Sequence, residues 1–179
     1  IDFLRNNWEP IKKGIIFSLS LQNDNGAIAW NMDDKGEIDD DYLLTGCSSI
    51  AKSLECAIAI SQILDYRSIE KEWRNAHANL IGAIENPTGI FDLKKDRSRF
   101  SMDSYYPILG GISSKNTVSS LISSIKKSFW VKGLGIKCVA DEPWVTVAET
   151  SECSIAFKKI GEDEIALELL HNAIAIVDT

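Results

Sequence analysis

Hydrophobic and polar positions alternate along this chain with a helical period. Ile11, Ile15 and Leu19 make one stripe, which ends at the turn-rich Asn23-Asp24-Asn25-Gly26. A second helix is predicted from Leu43 to about Tyr66. Cys47, Ile50, Leu54 and Ile58 lie on one of its faces and Ala51, Ala59, Ile60 and Ile63 on another, so it is expected to be buried nearly all round. Ser68 is placed to cap a third helix through Ile69, Trp73, Ala76, Leu80 and Ile84, which Asn86-Pro87-Thr88-Gly89 ends. Glu70, Lys71, Arg74 and Asn75 give that helix a wet outer face. The uncharged segment Tyr105 to Ile112 follows, then an amphipathic helix with Val118, Leu121, Ile122, Ile125 and Phe129 set against Lys126 and Lys127. Asp141-Glu142-Pro143 reads as the first turn of a further helix, where proline is tolerated and acids are favoured. Gly161 separates it from a last helix carrying Ile165, Leu169, Leu170, Ala173, Ile174 and Val177. Strand-like segments are few, Ala27 to Trp30 and Ile136 to Val139, and the predicted class is all-α.

The helices alternate in character. The first, third and fifth are amphipathic; the second, fourth and sixth are nearly uncharged. A ring of helical hairpins has this layout, with charged helices outside and apolar ones lining the centre. The long connections, Asn23 to Tyr42, Pro87 to Ser104 and Val131 to Glu142, each lead from an outer helix into an inner one. In a ring they would emerge on one rim, the place where a helical scaffold builds a site.

Composition narrows the class. The 179 residues are 45% hydrophobic and 25% charged, as expected of one globular domain spanning 1–179. With 26 acidic against 19 basic residues the net charge is −7, and no basic stripe is present, so nucleic acid and anionic membrane are poor partners. No apolar run approaches the roughly 20 residues of a membrane span, and no leader-like segment opens the sequence, so a cytoplasmic location is expected. The sequence begins at Ile1 and stops in mid-pattern, which suggests a piece of something longer. Cys47, Cys56, Cys138 and Cys153 show no C-x-x-C spacing and read as reduced packing residues.

The three rim loops each bring an acid within three residues of Tyr or Trp, at Asp41, Asp103 and Asp141. The first loop holds Trp30 and Asp39-Asp40-Asp41-Tyr42; the second, Arg99 to Pro107; the third, Cys138 to Trp144. Carboxylates beside aromatic rings suit carbohydrate chemistry. The rings stack on the apolar face of a sugar, one acid protonates the leaving oxygen, and the other activates water or attacks. Glu149 and Glu152 are the only charges between Pro143 and Phe157. On an apolar helix such acids need a partner or a wet cavity. Each has a purely structural alternative: Asp41 and Asp141 as helix caps, Glu149 and Glu152 in ion pairs with a neighbouring Lys or Arg. Asp33-Asp34 with Asp39-Asp40-Asp41 suits Mg²⁺ or Ca²⁺, or is a solvated loop. His77 and His171 belong to no ligand cluster, and no phosphate-cradling glycine loop or nucleophile elbow is present, so no metal and no cofactor is expected.

Four stretches resemble a bacterial family usually labelled prenyltransferase-like: Gln22 to Trp30, Leu43 to Ile50, Arg99 to Pro107 and Asp141 to Thr150. That family's members carry segments such as LLTGSSSI, RFSMDWYYPVLGG and CVSDEPWVTVAETCE, and the resemblance covers nearly the whole chain. It implies a helical toroid of the terpenoid cyclase and six-hairpin glycosidase type, an (α/α)6 ring of which about three and a half hairpins would be present. The motif positions fall on Asp103, Tyr105, Tyr106, Asp141, Glu142, Trp144 and Glu149, with Ser104 standing where the family pattern has tryptophan.

Three functions are compatible with these residues. A carbohydrate-active hydrolase or lyase would use Asp103 and Glu149 as acid–base pair, helped by Asp141. Tyr105, Tyr106, Trp144, Trp30 and Glu142 would bind a small-molecule or oligosaccharide substrate, and Arg99 would orient a carboxylate. A prenyl-diphosphate or terpenoid enzyme would recruit Arg97, Arg99, Lys132 and Lys137 for the diphosphate. A non-catalytic toroid would bind without turnover. A partial ring also leaves an apolar seam, expected to meet the remainder of the toroid or a second copy.

Overall fold

The structure, a computed structural model, describes residues 1–177. The fold is all-α: among the described residues eight α-helices are joined by loops, and the only sheet is a two-stranded one. No helix among the described residues is long and apolar enough to cross a membrane. The chain forms two compact units, one up to Lys94 and one from Lys95 on.

The first unit holds α1 (Asp2–Asn6), α2 (Trp8–Ser20), α3 (Leu44–Ile63) and α4 (Glu70–Glu85), the last preceded by a 3₁₀ turn at Arg67–Ile69. α3 packs against α2 and α4. Their shared core contains Trp8, Ile15, Leu54, Ala57, Ile58, Trp73 and Ala76, with the Trp8 and Trp73 rings 5.8 Å apart. Ser68 does not cap α4. It sits inside the 3₁₀ turn, and α4 starts without a side-chain cap, its first turn carrying Glu70 and Glu72, which suit the positive end of the helix. α3 is not buried all round either. Cys47, Ala51, Leu54 and Ile58 are buried, whereas Ser53, Cys56, Ala59 and Ile63 are exposed, because its two neighbours in the unit take up only part of its circumference. Gly26, at φ 87°, lies where a Cβ would fall 2.4 Å from the Asn79 carbonyl oxygen, so the turn after α2 touches the α4 backbone.

The second unit holds α5 (Met102–Gly110), α6 (Lys115–Ser124), a wider turn of π type at Ile125–Phe129, β1 (Trp130–Val131), β2 (Gly135–Ile136), α7 (Val147–Lys159) and α8 (Asp163–Val177). α7 packs on α8 and on α5, and α5 also meets α6. Tyr105, Ile108, Phe129, Ile136, Phe157 and Leu169 are fully enclosed. Asp141-Glu142-Pro143 does not open α7. Those residues lie in a loop tied down by a Cys138 N–H to Trp144 carbonyl bond of 2.8 Å, and the helix begins later, at Val147. Thr146 is its cap, accepting the Glu149 N–H at 3.3 Å.

The long connections meet within each unit. In the first, the residue 21–43 loop receives the Asp92 N–H on the Tyr42 carbonyl at 2.9 Å, and Lys94 pairs with Asp39 at 2.7 Å and with Asp40. In the second, Phe100 bridges Val139, the Ser101 N–H reaches the Cys138 carbonyl at 3.0 Å, and the Ala140 N–H reaches the Arg99 carbonyl at 2.8 Å. The loops that lead into α5 and α7 therefore form one small backbone platform at the heads of those helices.

Candidate active site

The platform of the second unit gathers most of the residues singled out from the sequence. Asp103 stands in the first turn of α5, and Tyr106, three residues on, shares its face. Glu149 and Glu152 share a face of α7 by the same spacing. The Tyr105 hydroxyl donates to Glu152 Oε2 at 2.9 Å and the Tyr106 hydroxyl to Glu152 Oε1 at 3.2 Å. One carboxylate thus holds two phenols, whose rings lie 5.4 Å apart. Burial pushes the Tyr105 phenol well above its ordinary range, and the Glu152 bond and the charges of Glu152 and Glu149 add to the shift. Tyr106, half-buried, is pushed up by burial and by the same two carboxylates.

Thr146 and Glu149 occupy capping-box positions, in which Glu149 would reach back to the Thr146 N–H. That N–H instead meets the Ile136 carbonyl at 3.3 Å. The Glu149 carboxylate receives the Cys138 thiol, which burial and that carboxylate both push upward. An acid placed by sequence to finish a helix is turned toward the platform. Below it, Thr150 Oγ1 accepts the Ile136 N–H at 3.0 Å and donates to the Thr146 carbonyl at 2.6 Å, tying the head of α7 to β2.

Arg99 and Asp141 form a two-point pair. Nε lies 3.1 Å from Oδ1 and Nη2 lies 2.9 Å from Oδ2, with the guanidinium 5.7 Å from the Phe100 ring centre. The guanidinium expected to orient a substrate carboxylate already holds one from its own chain, and Asp141 locks the second loop to the third rather than capping α7. Trp144 is 57% exposed beside half-buried Glu142. Ser104, where the resembling sequences carry tryptophan, is buried, with its Oγ 3.0 Å from Ser124 Oγ, so it serves the α5–α6 contact. Trp30 belongs to the first unit. It is 61% exposed, and its ring lies 3.6 Å from where a Cβ on Gly46 would sit.

Glu152 was read from the sequence with Glu149, as an acid needing a wet cavity or an ion pair, but was not among the candidate site residues. Its helical spacing from Glu149 was visible, but its partners are two tyrosines from a different helix rather than a lysine or arginine. Three acids of the first unit's run are satisfied locally, Asp33, Asp39 and Asp40. Asp33 Oδ1 accepts the Lys35 and Glu37 N–H groups at 2.9 and 2.8 Å, and Lys94 answers Asp39 and Asp40. Among the described residues no three His, Cys, Asp or Glu side chains are grouped to hold a metal ion.

No family model matches the chain. Over 160 residues, 89% of its length, it is 38% identical to a Mycolicibacterium hassiacum protein named MMP endo-(1,4)-3-O-methyl-alpha-D-mannosidase, of whose length it spans 43%.

Proposed function

We propose that this chain carries the cleavage site of a glycoside hydrolase acting inside α-mannosidic oligosaccharides, on a scaffold of helical hairpins belonging to an (α/α)6 toroid. The observation that carries the reading is the pair of carboxylates on one face of α7. Glu149 is turned away from its capping position, and Glu152 is fixed by two phenols beside it. The similarity to a named endo-mannosidase over most of the chain supports the substrate class.

In this reading Asp103 and Glu149 form the acid–base pair. One protonates the glycosidic oxygen as the bond breaks, and the other, as carboxylate, activates water or attacks the anomeric carbon. Asp141, held in the Arg99 fork, keeps the two loops in register. Tyr106, Trp144 and Glu142 meet the sugar, Trp144 by stacking, while Tyr105 holds Glu152 from the interior. The prenyl-diphosphate reading finds little support here, because Arg99 is neutralised by Asp141 and the Lys137 ammonium donates to the Ala140 carbonyl at 3.2 Å.

The test is release of reducing ends from α-(1,4)-mannooligosaccharides, with and without O-methyl groups, by the whole protein that contains this chain. Asp103→Asn and Glu149→Gln should each lower kcat by roughly 10²–10⁴-fold. Undiminished hydrolysis in both variants would remove these residues from the mechanism.

A further inference from the structure

Glu152 does more than fill a hydrogen-bonding requirement. An ionised carboxylate offers lone pairs only, so each phenol bonded to it must spend its single proton there. Tyr105 is fully buried and has nowhere else to turn. Tyr106 is half-buried. With its proton committed to Glu152 Oε1, its oxygen has only lone pairs left for any further partner. Glu149 sits close enough for its charge to bear on both phenols, and it already receives the Cys138 thiol. Toward a ligand, the Tyr106 oxygen is therefore an acceptor with no proton of its own to offer.

We propose that Glu152, by fixing the Tyr106 hydroxyl as a donor into the protein, makes the outer side of Tyr106 an acceptor that selects a free hydroxyl on the sugar ring and rejects a methyl ether at that position. The proposal rests on the glycosidase reading and adds to it a specificity rule. A methyl ether has no proton to give, and it would leave the Tyr106 oxygen desolvated and unanswered, a loss that protein sites register strongly. Methyl groups on a methylated mannan would then have to face another part of the site. Glu152 is a positioning residue here; Tyr106 makes the contact.

Glu152→Gln tests the mechanism directly. The amide NH₂ of glutamine donates, so it turns the Tyr106 oxygen into its acceptor and sends the phenol proton outward, while Tyr106→Phe removes the group altogether. An aryl α-(1,4)-mannobioside and its mono-O-methyl derivatives, one for each ring hydroxyl, serve as probes. In the wild type, methylation at one position should lower kcat/KM by about tenfold or more, the equivalent of about 1.4 kcal/mol or above. That penalty should shrink to within a few-fold in Glu152→Gln and Tyr106→Phe, with methylation elsewhere affecting all three alike. A merely structural role would lower all rates together and leave the ratios unmoved, and that result overturns the proposal. Phenol ionisation followed by ultraviolet absorbance supplies a readout independent of turnover. Of the phenols that resist ionisation in the wild type, one should ionise at lower pH in Glu152→Gln, with burial and Glu149 still holding it above its ordinary range; unchanged titration also overturns the proposal. If no mannoside is cleaved, the glycosidase reading fails by itself. Thermal shifts from the same probes then decide the selection, with equal methyl penalties in wild type and Glu152→Gln counting against it.

Discussion

Gly135 provides a sharp test of how the head of α7 is held. It has φ 136°, and a Cβ there would lie 2.5 Å from Thr150 Oγ1, 2.9 Å from Thr150 Cγ2 and 3.2 Å from Val145 Cγ1. Thr150 has no room to retreat. It is fully buried, and its hydroxyl bonds both the Ile136 N–H and the Thr146 carbonyl. Gly135→Ala therefore combines backbone strain of about 1–3 kcal/mol with an overpacking cost of about 1–3 kcal/mol. Gly133, two residues earlier, also has positive φ, 78°, but nothing lies within 4 Å of its Cβ position. Gly133→Ala should cost only the left-handed strain, about 1–2 kcal/mol. Urea unfolding of the second unit's signal should show the larger midpoint shift for Gly135→Ala, with the m-value unchanged. In a Thr150→Ala background the extra cost of Gly135→Ala should fall to the strain and the lesser Val145 contact, a coupling of about 1–3 kcal/mol. Equal losses in the two glycine variants, or no coupling to Thr150, would refute the steric account.

Two cysteine thiols are buried deeply enough to make stability depend on pH. Burial pushes the Cys47 thiol up to about 11 and the Cys153 thiol up to about 12. The folded state therefore keeps protons that the unfolded chain loses above its ordinary thiol range, so stability should hold below about pH 9 and fall as pH rises toward 11. Melting curves across pH 7–11 check this, and a flat profile would contradict it. Cys56 is exposed, so brief alkylation of the native protein followed by mass mapping should modify Cys56 ahead of Cys47 and Cys153. Arg99→Ala frees Asp141 and unpins the second loop from the third. Because the pair is exposed, the stability loss should be about 1 kcal/mol or less, with a larger effect on turnover than on melting. Leu167, Leu170, Ile174 and Val177 form an exposed apolar stripe on α8, so the 179-residue chain on its own should self-associate, and Leu170→Lys with Ile174→Lys should reduce that in sedimentation runs.

What the sequence conveyed and what it withheld divide along the range of the interactions. α3, α4 and α8 follow from periodicity, because the apolar spacing around Leu54, Trp73 and Leu169 reflects burial that a helix imposes locally. The start of α7 was misplaced because Asp141-Glu142-Pro143 carries the local signals of a first turn. Bridges from Lys137 to Val145 and Phe100 to Val139 hold that stretch extended, and the cap passes to Thr146. Ser68 failed as a cap for a similar reason, since the chain tightens into a 3₁₀ turn there. In the site, acids and aromatics were legible as residue types near the loops. The pairing was not: Tyr105 and Glu152 are 47 positions apart, and Arg99 and Asp141 are 42 apart, so only the fold reveals who holds whom.

The central claim is that the second unit's carboxylates and rings meet a sugar. A thermal-shift comparison of the whole protein against α-mannooligosaccharides and against prenyl diphosphates with Mg²⁺ or Zn²⁺ tests it most directly. A sugar at about ten times its dissociation constant should add about 1.4 kcal/mol, a rise of about 2–4 °C, and the rise should weaken in Asp103→Asn. Stabilisation by diphosphates alone would contradict the account.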